Sequence, residues 1–343
     1  MVRLLAAAIV SLVCACGCSQ ANVPTAQGPS QTSALALRPP VAGGQPKVNF
    51  FNTPTQGAWP DYIVAGPQGA LWFSEFYLDK IGKITTGGQI TEFRLPDNND
   101  IEGIAAGPDG NIWFTEPGAN QIGRMTPSGQ VTAFPINSGN PSPRGITAGP
   151  DGNLWYVEYY DGYIGRVTPS GKITRFQIPD YQSSPWDITT GPGGDLWFTE
   201  SGANRIGRFD PRTLQFKPSL TIPTGSSTPW GILFTRDKHI WFTERTADQL
   251  AVVGRGKISE FPIRQAGSYP EKIAAGSDGE LWFTEMQAGN IGRFDPRSGK
   301  FGSVISLPSG SIPIGIASGP DKNVWFLIAS YTTQSQVGQI VLH

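Results

Sequence analysis

The word Leu71-Trp72-Phe73-Ser74-Glu75 comes back six more times in this chain, around Trp113, Trp155, Trp197, Trp241, Trp282 and Trp325. Successive copies are 41, 42, 42, 44, 41 and 43 residues apart. A unit of that length cannot bury a continuous aromatic word by itself. It must stack against its neighbours, and a period in this range is the signature of a radially repeated sheet protein.

The third copy shows what one unit contains. Gly149-Pro150-Asp151-Gly152 and Thr168-Pro169-Ser170-Gly171 are hairpin words, in which Pro presets φ, Asp or Ser bonds the local backbone and Gly takes the positive-φ position. Around them fall four short strands, at 145–148, 154–158, 164–167 and 173–176. Four antiparallel strands per unit make a propeller blade, so the expected fold is all-β, a seven-bladed β-propeller. The second strand is almost continuously apolar because both faces of a blade pack on neighbours. Gly165, in the third strand, is expected to mark a close approach between adjacent blades. The last copy stops at its third strand, 337–340, while Val48-Asn49-Phe50-Phe51 reads as an orphan fourth strand. The N-terminal strand then completes the last blade and closes the ring.

Composition agrees: 43 Gly and 30 Pro supply the turns, and only 15% of residues are charged. A net charge of −1 and a pI near 6.2 give no electrostatic footprint for nucleic acid or an anionic membrane surface. The three cysteines, Cys14, Cys16 and Cys18, all precede the repeats, so cysteine chemistry is excluded from the domain. Residues 1–18 combine Arg3 with a short apolar run and read as a signal peptide, with Cys16 or Cys18 in a lipobox-like setting as the lipidated residue. An ordinary cleaved signal peptide is the alternative. Residues 19–46, poor in large apolar side chains, read as a flexible tether, and 47–343 as the propeller. The product is expected outside the cytoplasm, held to the membrane through a lipid anchor only, facing periplasm or exterior, as a monomer.

The words Gly107 to Glu116, Asn120 to Arg124 and Ile90 to Pro96 resemble the repeats of the virginiamycin B lyase (streptogramin lyase) family, and the resemblance spans 47–343. It implies a seven-bladed propeller that opens the ester-closed ring of type B streptogramins by elimination, with Mg2+. It also implies residues at the ring's mouth: a His after the first-strand Pro in blades six and seven, a Glu before the seventh-blade Pro, a Glu after the seventh-blade Trp and a Tyr in blade one. Here those slots hold Glu271, Ile314, Ile312, the acid-free run Phe326 to Ser330, and Asp61, with Tyr62 adjacent. None of the expected catalytic side chains is in register. The domain's two histidines are His239, read as a surface turn residue, and the terminal His343.

One slot per blade, the residue after the first-strand Pro, should line the mouth: Asp61, Glu102, Arg144, Trp186, Trp230, Glu271 and Ile314. These vary while their flanks repeat, which is where function is grafted on a scaffold. Trp186 and Trp230, flanked by Arg144 and facing acids, suit a planar or cyclic ligand. The alternative is a solvated rim that caps the channel. Glu75, Glu116, Glu158, Glu200, Glu244 and Glu285 recur in nearly every blade and are expected to bond backbone between blades, a recurring structural need. No metal ligand is assigned, and Mg2+ enters only if the lyase activity is retained. Tyr159, Tyr160 and Tyr163 either extend the tryptophan surface or fill gaps between blades.

Three functional readings follow. The first is a module that binds a small ligand or an envelope protein at its mouth without the family's catalytic residues. The second is an enzyme, either a lyase using Glu271, Asp61 or Glu102 as base or a metal-dependent lactone-acting propeller. The third is an envelope scaffold with no small ligand. Nucleic acid is not expected as a partner.

Overall fold

A computed structural model describes residues 46–96, 99–137, 139–330 and 334–342. The signal segment with Cys16 and Cys18, the tether up to residue 45, and His343 lie outside the described residues.

Seven antiparallel sheets succeed one another along the chain, each with its first strand nearest the axis and the others following outward in strand order. Blades one to six span 60–94, 104–135, 143–177, 185–221, 229–262 and 270–306. Blade seven takes three strands from 312–340 and its fourth from the other end of the chain. Val48–Asn52 pairs antiparallel with Gln336–Ile340, in the register Val48↔Ile340 and Phe51↔Val337. The closing strand expected from the sequence is in place.

Second strands are buried throughout, and their side chains alternate between the two interblade spaces. Trp72 lies under Phe93 of its own fourth strand at 5.6 Å and 19°, and Trp113 under Phe134 at 5.5 Å and 17°. In blade seven the partner of Trp325 is Phe51, at 5.7 Å and 20°, so the N-terminal strand supplies the packing residue as well as the hydrogen bonds. Each apolar cluster joins residues of two adjacent blades; that of Trp72 and Ile81 includes Ile104, Ile112 and Phe114. The core is therefore a set of interblade cores arranged around an axis.

The third-strand glycine has a different role from the one expected. A Cβ on Gly82 would fall 2.1 Å from the Phe73 ring, and one on Gly123 2.1 Å from that of Phe114. Each ring belongs to the second strand of the same blade and lies across its directly paired glycine. The close approach is within a blade, and Gly is required because the aromatic ring occupies the space of its side chain.

Candidate functional site: the mouth of the ring

In blade one, Pro60 pairs with Glu75 but Ile63 pairs with Phe73, so the first strand carries one extra residue. The same bulge recurs in blades three to seven. A bulge re-aims side chains, and here it turns two consecutive residues per blade, those after the Pro, toward the mouth. The sequence-derived slots Asp61, Glu102, Arg144, Trp186, Trp230, Glu271 and Ile314 thus lie at one end of the ring. Second-strand hydroxyls fix their backbone: Ser74 donates to the Glu102 carbonyl at 2.8 Å, Thr115 to that of Arg144 at 2.8 Å and Thr243 to that of Glu271 at 2.8 Å. Each of these bonds crosses to the next blade.

Around blades two to six these side chains form one chain of contacts. Glu102 pairs with Arg144, whose guanidinium lies 4.8 Å from the Trp186 ring. Trp186 stacks on Trp230 at 3.6 Å and 24°. Arg245 lies 4.1 Å over Trp230 and pairs with Glu271 at 2.7 Å. The order Glu–Arg–Trp–Trp–Arg–Glu reads the same from either end. Tyr159, edge-on to Trp186 at 5.5 Å, and Tyr269, 4.4 Å from Arg245, flank it. Cation–π and aromatic stacking contribute about 0.5–2 kcal/mol per contact in such surroundings. Both ring faces of each tryptophan are consequently taken, which leaves their edges.

The second residue of each bulge escaped the sequence reading. In most blades it is Gly, because a Cβ at Gly103, Gly231 or Gly315 would fall 2.4–2.5 Å from a carbonyl of the next blade. Blades one, four and six instead carry Tyr62, Asp187 and Lys272. Lys272 Nζ donates to Asp187 at 3.0 Å, reaching across the glycine of blade five, and lies 3.6 Å over the Tyr62 ring. These three, with Ile146, Ile232 and Ile316, line an axial cavity of about 130 Å³. A larger groove of about 450 Å³ lies at the outer edge near Phe134 and Ile173. It holds none of the orphaned polar atoms described next, and the chemistry is at the axis.

Burial, reinforced by Glu102 and Glu271 against Lys272 and Arg144, pushes the Asp61 carboxyl up to about 8. Burial also raises Glu271, opposed by Arg245, and moves the Tyr62 phenol well above its usual range. Glu102, Asp187 and Glu271 are each paired with a cation, Arg144, Lys272 and Arg245 respectively, while Asp61 keeps its proton at neutral pH. Five buried polar atoms there have no hydrogen-bond partner: Tyr62 Oη, Glu102 Oε1, Arg144 Nε, Trp186 Nε1 and Arg245 Nε. Orphans of this kind are rare in native proteins; others occur elsewhere in the ring, and these share the mouth.

This donor set does not fit Mg2+. A hard cation needs several free oxygen ligands, whereas the mouth carboxylates are committed to Arg144, Lys272 and Arg245 and Asp61 holds a proton. Among the described residues no group of three or more His, Cys, Asp or Glu has metal-binding geometry. The recurrent glutamates are not a cation ring either, and they depart from the expected backbone role. Glu158 binds Arg175, Glu200 binds Arg205 and Ser219, and Glu116 binds Gln121, all side chains of their own blades. His239 is an exposed turn residue 3.0 Å from Asp237. Phe234 pairs with Ile240 and Pro229 with Glu244, so His239 sits at the end of its hairpin away from the mouth.

A seven-bladed propeller whose mouth carries buried, partly orphaned polar groups is the class that fold and site define. Residues 42–216 and 213–343 match the Virginiamycin B lyase family, and the chain belongs to it. A catalytically inactive histidine-to-alanine variant of virginiamycin B lyase from Staphylococcus aureus, determined with quinupristin, is 32% identical. It covers 87% of this chain and 99% of its own, with a TM-score of 0.81. A streptogramin B lyase structure is 31% identical, covers 87% and 98%, and has a TM-score of 0.80. Hydrazine synthase from Kuenenia stuttgartiensis, 16% identical, covers 83% and 96% with a TM-score of 0.68 and shares the fold alone. No curated protein sequence matches the chain.

Proposed function

We propose that this chain is a lipid-tethered, extracytoplasmic member of the family that captures a ligand at its mouth and does not carry out the ring-opening elimination. The observation that supports it is the set of orphaned polar atoms, gathered where the family's histidine slots hold Glu271 and Ile314. Elimination needs a base positioned on the substrate proton and an acid at the leaving oxygen. Glu271 is raised by burial and tied to Arg245, and Ile314 has no proton to exchange. In the Staphylococcus aureus protein, a histidine-to-alanine change goes with loss of catalysis in a structure determined with quinupristin. Capture and catalysis are separable on this scaffold.

The mouth is close to neutral, and its orphan donors, Tyr62 Oη–H, Trp186 Nε1–H and the Nε–H of Arg144 and Arg245, exceed its orphan acceptors. That inventory suits a neutral, carbonyl-rich cyclic molecule better than an ion. The test is to mix purified protein with a type B streptogramin and Mg2+, following ring opening by mass and binding by calorimetry. Binding without turnover, lost in Arg245→Ala, is expected. Turnover overturns the proposal; silence in both moves the weight to an envelope protein as partner. Asp61 favours a second reading, an acid–base enzyme, because a carboxyl poised near 8 can exchange a proton at neutral pH. A substrate screen with Asp61→Asn as control separates the two.

A further inference from the structure

The near-zero net charge of the chain conceals a segregation that only the fold reveals. In blade five, Phe234 pairs with Ile240 and Gly254 with Lys257 at one end of the sheet, while Pro229, Glu244, Gln249 and Pro262 meet at the other, the mouth. The two hairpin loops at the far end carry Arg236, Lys238, Arg255 and Lys257, all exposed. Their only acid, Asp237, is engaged by Thr235 and His239. No ion pair among the described residues takes up any of the four cations. Beside them, the far hairpin of blade four presents exposed Arg212 and the apolar tip Leu214, 40% exposed at φ 58°. At the mouth, by contrast, Glu102, Asp187 and Glu271 are each paired with a cation.

The far face is also where the chain arrives. Val48 pairs with Ile340 and Asn52 with Gln336, which places Val48 at the end away from the Pro313 bulge. Lys47, exposed, accepts from Val341 N at 2.9 Å at that same end. The 46 residues before it, with their cysteines, therefore join the propeller at the same end as the blade-five cations.

We propose that this face docks on an anionic phospholipid surface, so that the mouth points away from the membrane. Unpaired cations near such a surface each add affinity, and a basic patch is the second signal that a single lipid chain needs for stable attachment. Leu214 is placed to enter the headgroup region beside them. The whole-chain balance gave no such footprint because these four cations are offset by acids spread over the rest of the chain, and only strand pairing brings their two loops together. The surface works whether or not a cysteine is lipidated, so its test is independent of the tether and of capture at the mouth.

The full chain carrying Cys14→Ser, Cys16→Ser and Cys18→Ser is mixed with vesicles of phosphatidylglycerol and phosphatidylcholine, or of phosphatidylcholine alone, and sedimented. The same is done with Arg236→Glu/Lys238→Glu/Arg255→Glu/Lys257→Glu added. The leader is common to both proteins, so the difference between them reports the face. Near an anionic surface a cation is worth about fivefold in partition, so the quadruple change is expected to cost at least about tenfold. That loss should appear on anionic vesicles only and shrink as salt rises. Equal sedimentation on the two vesicle types, or a quadruple variant that sediments like its parent with its circular dichroism unchanged, overturns the proposal. If the variant fails to fold, Lys238→Gln/Lys257→Gln must still show about fivefold or more, or the proposal falls.

Discussion

Glu75 and Glu244 offer the most direct test of how this fold handles buried charge. Both are fully buried; neither carboxyl oxygen of Glu75 has a hydrogen-bond partner, and Glu244 has no cation beside it, only the hydroxyl of Ser227. Burial, reinforced by Glu92 in one case and Glu260 in the other, pushes both from an ordinary 4.5 to about 8. In blade three the corresponding neighbour is Arg175, which binds Glu158. The folded chain thus keeps two protons that the unfolded chain releases above about pH 4.5. Stability is then highest in acid, declines as pH rises from about 4.5 to about 8, and levels off beyond. Moving one carboxyl across that interval corresponds to about 5 kcal/mol at about 1.4 kcal/mol per pH unit. Relaxation and water penetration reduce it, leaving about 2–3 kcal/mol per site as the expected amplitude. Gln in either place removes the titration and adds a pH-independent cost of about 1–3 kcal/mol for its buried amide. Urea unfolding at pH 5, 6.5 and 8 should show the native chain losing about 4–6 kcal/mol more than Glu75→Gln/Glu244→Gln, which keeps only the decline that the other raised carboxyls, such as Asp61, contribute, since sites in blades one and five add independently. Parallel profiles for the two proteins would refute the reasoning.

Other outcomes follow from the same structure. Lys272→Met strands Asp187 beside the axis and should cost about 3–5 kcal/mol, while Lys272→Met/Asp187→Leu recovers most of it in the same urea assay. Phe51→Ala removes the ring that covers Trp325 and should cost about 3–5 kcal/mol, read as a fall in the midpoint of thermal unfolding. Thr115→Val breaks the bond to the Arg144 carbonyl and should cost about 1–2 kcal/mol. If the protonated Asp61 donates to a bound molecule, capture weakens as pH rises through about 8 and Asp61→Asn abolishes that dependence, both measurable by calorimetric titration across pH 6–9.

The period of the tryptophan word carried the architecture because each blade repeats the same packing problem, and Phe51 could be placed because it answers that problem from the far end of the chain. The first mouth slot was legible for a similar reason: Asp61, Arg144, Trp186 and their equivalents vary inside constant flanks. Asp187 and Lys272 were missed and Tyr62 was noted only as the neighbour of Asp61, although a signal existed, namely the three blades in which the expected Gly after the mouth slot is absent. Arg245 was missed because it lies in the turn after the second strand of blade five, a blade away from its partner Glu271, and nothing local announces that it covers Trp230. The third-strand Gly was assigned to the wrong neighbour for a physical reason. Strand pairing puts Gly123 opposite Phe114, and a repeat pattern does not say which of two nearby aromatics fills the space. Charge segregation was invisible because hairpin ends that alternate along the chain are sorted to opposite faces only once the strands pair.

The strand Val48–Asn52 bears on the order in which the molecule can be made. It is synthesised before any blade, yet its partners, Gln336–Ile340, come from the very end of the chain. Until they arrive both sheet edges at the seam stay open, and such distant pairing is slow. A chain exported from its N-terminus would cross as a string of unsealed blades and become a ring only when its final residues had passed. The seam thus acts as a completeness check: a product cut short before Gln336 has nothing against which to lay its first strand.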